Sequence, residues 1–170
     1  MLGDVRMFKK ILLFTCALMV TTTCYAYKDT IDGFRGIPLG ASVEEVKNSG
    51  IVCEIIGPKD KLPDGSIIYE TKFTEPNFLG VNLEWANLGF RDNKLTSISI
   101  FFEEDSKFSS YYKLFYNVKN QWGRPIEDQN WIDEKASTWR KNNTIIWIGS
   151  SYDALADEFC GSILILKTRR

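Results

Sequence analysis

Acidic residues come side by side along this chain: Glu103-Glu104-Asp105, Glu127-Asp128, Asp133-Glu134 and Asp157-Glu158. Two carboxylates held across a glycosidic bond can hydrolyse it, one as acid and the other as base or nucleophile. Adjacency alone does not set the separation that this chemistry needs. At loops and helix starts such acids instead cap N–H groups and solvate turns. Asp153, Asp157 and Glu158 offer oxygen ligands, but without the glycine and regular alternation of a calcium loop. No metal site is expected.

Histidine is absent from all 170 residues. That excludes the common Ser-His-Asp and Cys-His nucleophilic sites and zinc sites built on histidine. Gly33, Gly36 and Gly40 match neither phosphate-loop spacing and precede a very short helix. No cofactor is expected. The reading is non-enzymatic, with a carboxylate-based hydrolase as the enzymatic alternative.

Five tryptophans remain as candidates for binding: Trp85, Trp122, Trp131, Trp139 and Trp147. Trp122 and Trp147 occupy core-like positions. Trp131 lies in a polar connection, and Trp139 precedes Arg140 and Lys141 on a hairpin. Trp131, Trp139 and Arg140 are therefore the candidate binding residues. Exposed tryptophan beside charge anchors protein contacts or stacks on sugar rings; burial under a loop is the structural alternative.

Elements must position these groups. Ser42 and Glu45 form a capping box ahead of a helix that Gly50 stops. With about two turns, that helix needs tertiary packing to persist. Pro38 makes the preceding Gly33–Pro38 segment an extended lead-in. Strands follow at Ile51–Ile56, Ile67–Phe73, Val81–Phe90 and Leu95–Phe102, with a loop over Gly57–Ser66 and a turn at Arg91–Lys94. The alternation of Val81, Leu83 and Trp85 changes phase to Ala86, Leu88 and Phe90, which predicts a β-bulge between Trp85 and Asn87. Phe108, Tyr112, Phe115, Val118 and Trp122 form an amphipathic stripe, widened by Tyr111 and Leu114, capped by Asp105 or Ser106 and ended by Gly123 and Pro125. A polar connection at Arg124–Asp133 leads to strands at Ala136–Lys141 and Thr144–Ser150, an acidic segment with a helical turn at Asp153–Asp157, and a last strand at Gly161–Leu166. Helix-then-strands occurs twice, as two unequal copies of one unit. The fold class is α+β: a two-layer sandwich, with an antiparallel sheet of about seven strands and two helices on one face. Several strands carry apolar residues on both sides, so the second face is covered by loops or offered to a partner.

Residues 1–26 read as a signal peptide, with Lys9 and Lys10 before the apolar run Ile11–Val20 and small residues around Cys24-Tyr25-Ala26. Cleavage after Ala26 leaves residues 27–170 as a single domain, periplasmic or secreted. Alternatives are a start at Met7 and lipoprotein anchoring at Cys24. Without Arg6, Lys9, Lys10 and Asp4 the chain is mildly acidic, which gives no support for nucleic-acid binding. The membrane enters only through the signal segment. In an oxidising compartment Cys53 and Cys160 permit one disulfide, which in the chain-entropy model contributes about 4 kcal/mol. Two free thiols are the alternative.

The opening Gly33-Phe-Arg-Gly-Ile-Pro-Leu-Gly with Ser42-Val-Glu-Glu-Val, and the later Gly123-Arg124-Pro125 before a Trp-containing hairpin with Thr144-Ile-Ile, resemble a group of small exported bacterial proteins of unassigned function. More loosely, the helix-then-meander order is similar to the small outer-membrane assembly lipoproteins and the β-lactamase inhibitor proteins. That resemblance implies a protein-binding scaffold with a partner in the cell envelope. A carbohydrate or small-ligand binding protein of the periplasm is the alternative.

Overall fold

Each of two helices is followed by an antiparallel meander, and the two meanders join edge to edge. The computed structural model describes residues 33–168. The expected signal segment, residues 1–26 including Cys24, lies outside the described residues.

The chain enters through a hairpin, where the sequence predicts a single extended segment. Strands β1 (Gly33–Phe34) and β2 (Ile37–Pro38) pair antiparallel. Arg35 and Gly36, at φ 49° and 80°, supply the two left-handed residues of its tight turn. Gly33 is obligatory for packing: a Cβ there would fall 1.9 Å from the Ile37 carbonyl oxygen. The Arg35 guanidinium sits 5.4, 5.8 and 5.6 Å from the ring centres of Phe34, Phe73 and Phe78. It also donates to the carbonyls of Glu75 and Asn77.

Helix α1 (Val43–Asn48) has the expected capping box. The Glu45 N–H donates to Ser42 Oγ at 3.2 Å, and the Ser42 N–H donates to Glu45 Oε2 at 2.7 Å. Val46 is its fully buried anchor. Strand β3 (Val52–Lys61) runs through Gly57 and Pro58, which the sequence assigns to a loop. Among the described residues it pairs only with β4 (Ile67–Phe73), so Pro58 sits on an edge strand, where its missing N–H is tolerated, and register shifts absorb the irregularity. Short β5 (Asn77–Phe78) lies beside β6 (Val81–Arg91), which turns into β7 (Lys94–Glu103). The expected bulge is present one step earlier, between Leu83 and Trp85. It keeps Val81, Leu83, Ala86, Leu88 and Phe90 all buried and turns Trp85 to the other side.

Helix α2 (Ser109–Trp122) starts later than its acids suggest, after Phe108 in left-handed conformation. Asp105 and Glu104 nevertheless cap it from upstream. Asp105 Oδ1 accepts the N–H groups of Lys107 and Ser109, and the Glu104 carboxylate accepts those of Ser110 and Tyr111 at 2.9 and 2.7 Å. Its buried face is Tyr111, Leu114, Phe115 and Val118, with Tyr112 and Trp122 half-buried at the flanks. The polar connection contains another strand, β8 (Glu127–Asn130), followed by β9 (Glu134–Lys141), β10 (Thr144–Asp153) and β11 (Glu158–Lys167). The expected helical turn at Asp153–Asp157 is the turn between β10 and β11.

The fold is α+β. Among the described residues its main sheet has nine strands rather than about seven, in the order β3-β4-β6-β7-β11-β10-β9-β8 with β5 beside β6. All neighbouring strands in this order pair antiparallel. The two copies of the repeated unit are thus closer to equal than the sequence suggests: α1 and α2 each precede four strands of the main path, and β7 meets β11 at the centre. One hydrophobic core forms on one side. Leu88, Ile98, Ile165, Ile146 and Trp139 cross it as a continuous row of paired residues. Both helices contribute to that core.

Candidate functional site: the open face of the sheet

Strand alternation sends every second residue away from the core. On that side Trp85 stands opposite Phe101 across β6 and β7, and Trp147 stands opposite Leu164 across β10 and β11. Phe101 and Leu164 directly follow Ile100 and Ile163, the facing pair where β7 meets β11. The two tryptophans therefore hold the same register position in the two meanders. Ser99 and Ser162 lie between them, each opposite the other meander's apolar residue: Ser99 faces Leu164, and Ser162 faces Phe101.

The two indoles are held differently. Trp85 stacks on Phe101 with ring centres 3.8 Å apart and planes 14° from parallel. Lys59 Nζ lies 5.2 Å from the Trp85 ring centre and pairs with Glu70 at 2.9 Å. Trp147 folds over Gly149, where a Cβ would fall 2.0 Å from the ring. Trp85, Phe101, Trp147, Leu164, Ile145 and Leu166 are all half-buried. Asn87, between Glu70 and Ser99 on this face, has a buried Oδ1 with no hydrogen-bond partner. Neither edge of the sheet invites strand addition: β3 is broken by Pro58 and register shifts, and β8 is short, polar and acidic.

The three residues expected to bind do not form a site. Trp139 is only 2% exposed. Its pairing with Ile146 places it on the core face, where its Nε1 donates to the Gly123 carbonyl at 3.0 Å and its ring packs on Phe115. Arg140, the next residue, points the other way and is exposed. Trp131 is 57% exposed, at the opposite end of β9. The neighbouring charges of Trp139 misled the sequence reading; strand alternation, which also sets Trp147 between Ile146 and Ile148, carries the true signal.

The candidate disulfide is also corrected. Cys160 is a free, exposed thiol on β11, while Cys53 lies on β3. Strands β4, β6 and β7 stand between them, at about 4.8 Å per strand spacing. A disulfide requires Cα atoms within about 7 Å. Burial pushes the Cys160 thiol up from its ordinary pKa, and the Asp153 and Glu158 charges add to the shift.

Charge is segregated along the strands. The paired acids Glu103–Asp105, Asp133-Glu134 and Asp157-Glu158 gather with Asp153 at one end, beside the exposed Ile132 and Leu155. Several serve locally: Asp153 Oδ1 accepts the Leu155 and Ala156 N–H groups, and Asp157 accepts the Tyr152 hydroxyl. Arg91, Lys94, Arg140, Lys141 and Lys167 gather at the other end. Among the described residues no cluster of carboxylates and cysteines is arranged to hold a metal. The buried hydroxyl chain is a fastening between elements: Ser137 Oγ donates to Asp128 at 2.6 Å, so the Tyr111 hydroxyl donates to Ser137 at 2.7 Å, tying α2 to β9 and β8.

No protein-family model, curated protein or solved structure matches this chain.

Proposed function

We propose that this protein is an exported, non-enzymatic binding domain of the bacterial cell envelope, that its helices and sheet form a two-layer sandwich, and that the open sheet face contacts a protein partner. The observation that carries this reading is the matched placement of Trp85 and Trp147 on the side away from the core. Half-buried aromatic rings with apolar neighbours and serines between them supply large contact area at little conformational cost. The absence of histidine and the use of acids as caps and turn anchors favour binding over hydrolysis. The resemblance to exported proteins and helix-plus-meander scaffolds points the same way.

The test is capture from envelope extract with wild type, Trp85→Ala and Trp147→Ala. A partner retained by wild type and lost by both variants supports the reading; the same proteins recovered with all three overturn it. The flat indole of Trp147 over Gly149 favours a second reading, stacking on a sugar ring. Tryptophan fluorescence titrated with peptidoglycan fragments separates the two: a saturable change supports sugar binding, and no change rules it out.

A further inference from the structure

A cleft of about 560 Å³ opens at the basic end of the sheet, within the usual size range of small-molecule sites, about 300–1,000 Å³. It draws on four separate parts of the chain: Gly40 ahead of α1, the β3–β4 hairpin, the β6–β7 turn and the end of β11. Leu62, Ile68 and Leu166 give it apolar surface. Lys94 and Lys167 line it, and among the described residues neither has an ion-pair partner. Arg91 is differently placed. It pairs with Asp64, and its Nη2 donates to Ser66 Oγ at 3.0 Å, so the Asp64 charge is already offset. The Arg91 Nε is buried and has no hydrogen-bond partner. Asp92 is the other acid on the lining, in the exposed turn. Arg140 and Lys141 add positive potential from neighbouring strands; Asp60 lies opposite Ile68, and the acids Glu103–Asp105, Asp133-Glu134 and Asp157-Glu158 lie at the far end. Such a field concentrates anions at this mouth.

We propose that this cleft binds a small organic anion, a monocarboxylate with a medium-length aliphatic chain. The carboxylate sits between the Lys94 and Lys167 ammonium groups, and the aliphatic part lies on Ile68, Leu62 and Leu166. Two lysines act as point charges suited to a single anionic head, whereas phosphate recognition usually recruits a free arginine fork or a helix N-terminus. Here the arginine fork is engaged by Asp64 and Ser66, and no helix residue lines the cleft. The site shares Leu166 but neither tryptophan with the proposed protein contact, and the lysine and tryptophan variants let either reading fail alone.

Isothermal titration of the purified protein with octanoate, octylammonium and inorganic phosphate tests this. Octanoate is expected to bind saturably and with affinity that falls as salt rises. Lys94→Met and Lys167→Met are each expected to weaken it about tenfold, the double variant more, with unchanged circular dichroism. Trp85→Ala is expected to leave it unaltered. Absence of saturable octanoate binding overturns the proposal. So does equal binding of octylammonium or phosphate, or an unchanged octanoate affinity in the double lysine variant.

Discussion

Trp85 and Trp147 are register equivalents: each stands on the strand next to the central β7–β11 pair, opposite an apolar residue of that pair, and on the side away from the core. Two positions that match in this way hold the same place on the open face, so both are expected to respond to substitution. Trp85→Ala and Trp147→Ala should each lower stability by about 2–3 kcal/mol, less than a fully buried tryptophan, because each ring keeps part of its surface in solvent. Both should cost far more in partner capture than in stability. Urea denaturation beside the capture experiment checks this. A loss of fold in either variant would show the ring to be core rather than contact surface.

Gly149 permits the Trp147 platform. An alanine Cβ there would fall 2.0 Å from the indole, closer than any real contact. Gly149→Ala should therefore lift the ring off the sheet. The expected signs are a red-shifted Trp emission and easier acrylamide quenching, both absent from the same change in a Trp147→Phe background. An unaltered spectrum would contradict the flat arrangement.

How much of this was legible in advance depends on whether the deciding interaction is local. The Ser42–Glu45 capping box and the phase change in β6 are local, and both stand where the sequence puts them or one step away. Strand β8 is different. Glu127–Asn130 has no apolar alternation at all, and only its ladder with β9 makes it a strand. Pro58 stays in a strand because β3 is an edge, a property set by the whole sheet order. Trp139 looked exposed because of its basic neighbours, yet Ile146 across the strand fixes which face it takes. The Trp85–Trp147 correspondence required knowing that β7 pairs with β11, a long-range contact that no local pattern encodes.

Cys160 should behave as a free thiol. Native protein is expected to react with one equivalent of a thiol reagent at this position, slowly at neutral pH because the thiolate is disfavoured by burial and by Asp153 and Glu158. Raising the pH should speed labelling. Non-reducing mass analysis is expected to show no intramolecular bridge. A mass lower by two hydrogen atoms, with the Cys53 and Cys160 peptides linked, would contradict the strand order.

Arg35 is the clasp between the entry hairpin and the β4–β5 connection. Its cation lies among three phenylalanine rings while its nitrogens donate to two backbone carbonyls. Lysine keeps the charge but not the planar fork, so Arg35→Lys should retain part of the ring interaction and lose the paired donation. The expected cost is about 1–3 kcal/mol, with Arg35→Ala at or above the upper end. Chemical denaturation of both variants tests the order. Equal stability of Arg35→Lys and wild type would show that charge over the rings suffices.

Tyr111 links helix packing to alkaline stability. Burial is the main cause that raises its pKa from 10.0 to about 12; the nearby Asp128 charge also raises it, and the Ser137 hydrogen bond partly opposes the shift. The folded protein then holds the phenol proton more tightly than the unfolded chain does. This contribution is complete below about pH 10 and is lost as pH rises through 10 towards 12. Tyr111→Phe removes the titrating group and also leaves Ser137 without its donor, at a cost of about 1 kcal/mol near neutral pH. Wild type should thus lose stability between pH 10 and 12 more steeply than Tyr111→Phe, and the two curves should converge. Urea midpoints across that range measure it, with Tyr116→Phe, an exposed tyrosine on the same helix, as the control. Parallel curves for wild type and Tyr111→Phe would place the alkaline transition elsewhere in the molecule.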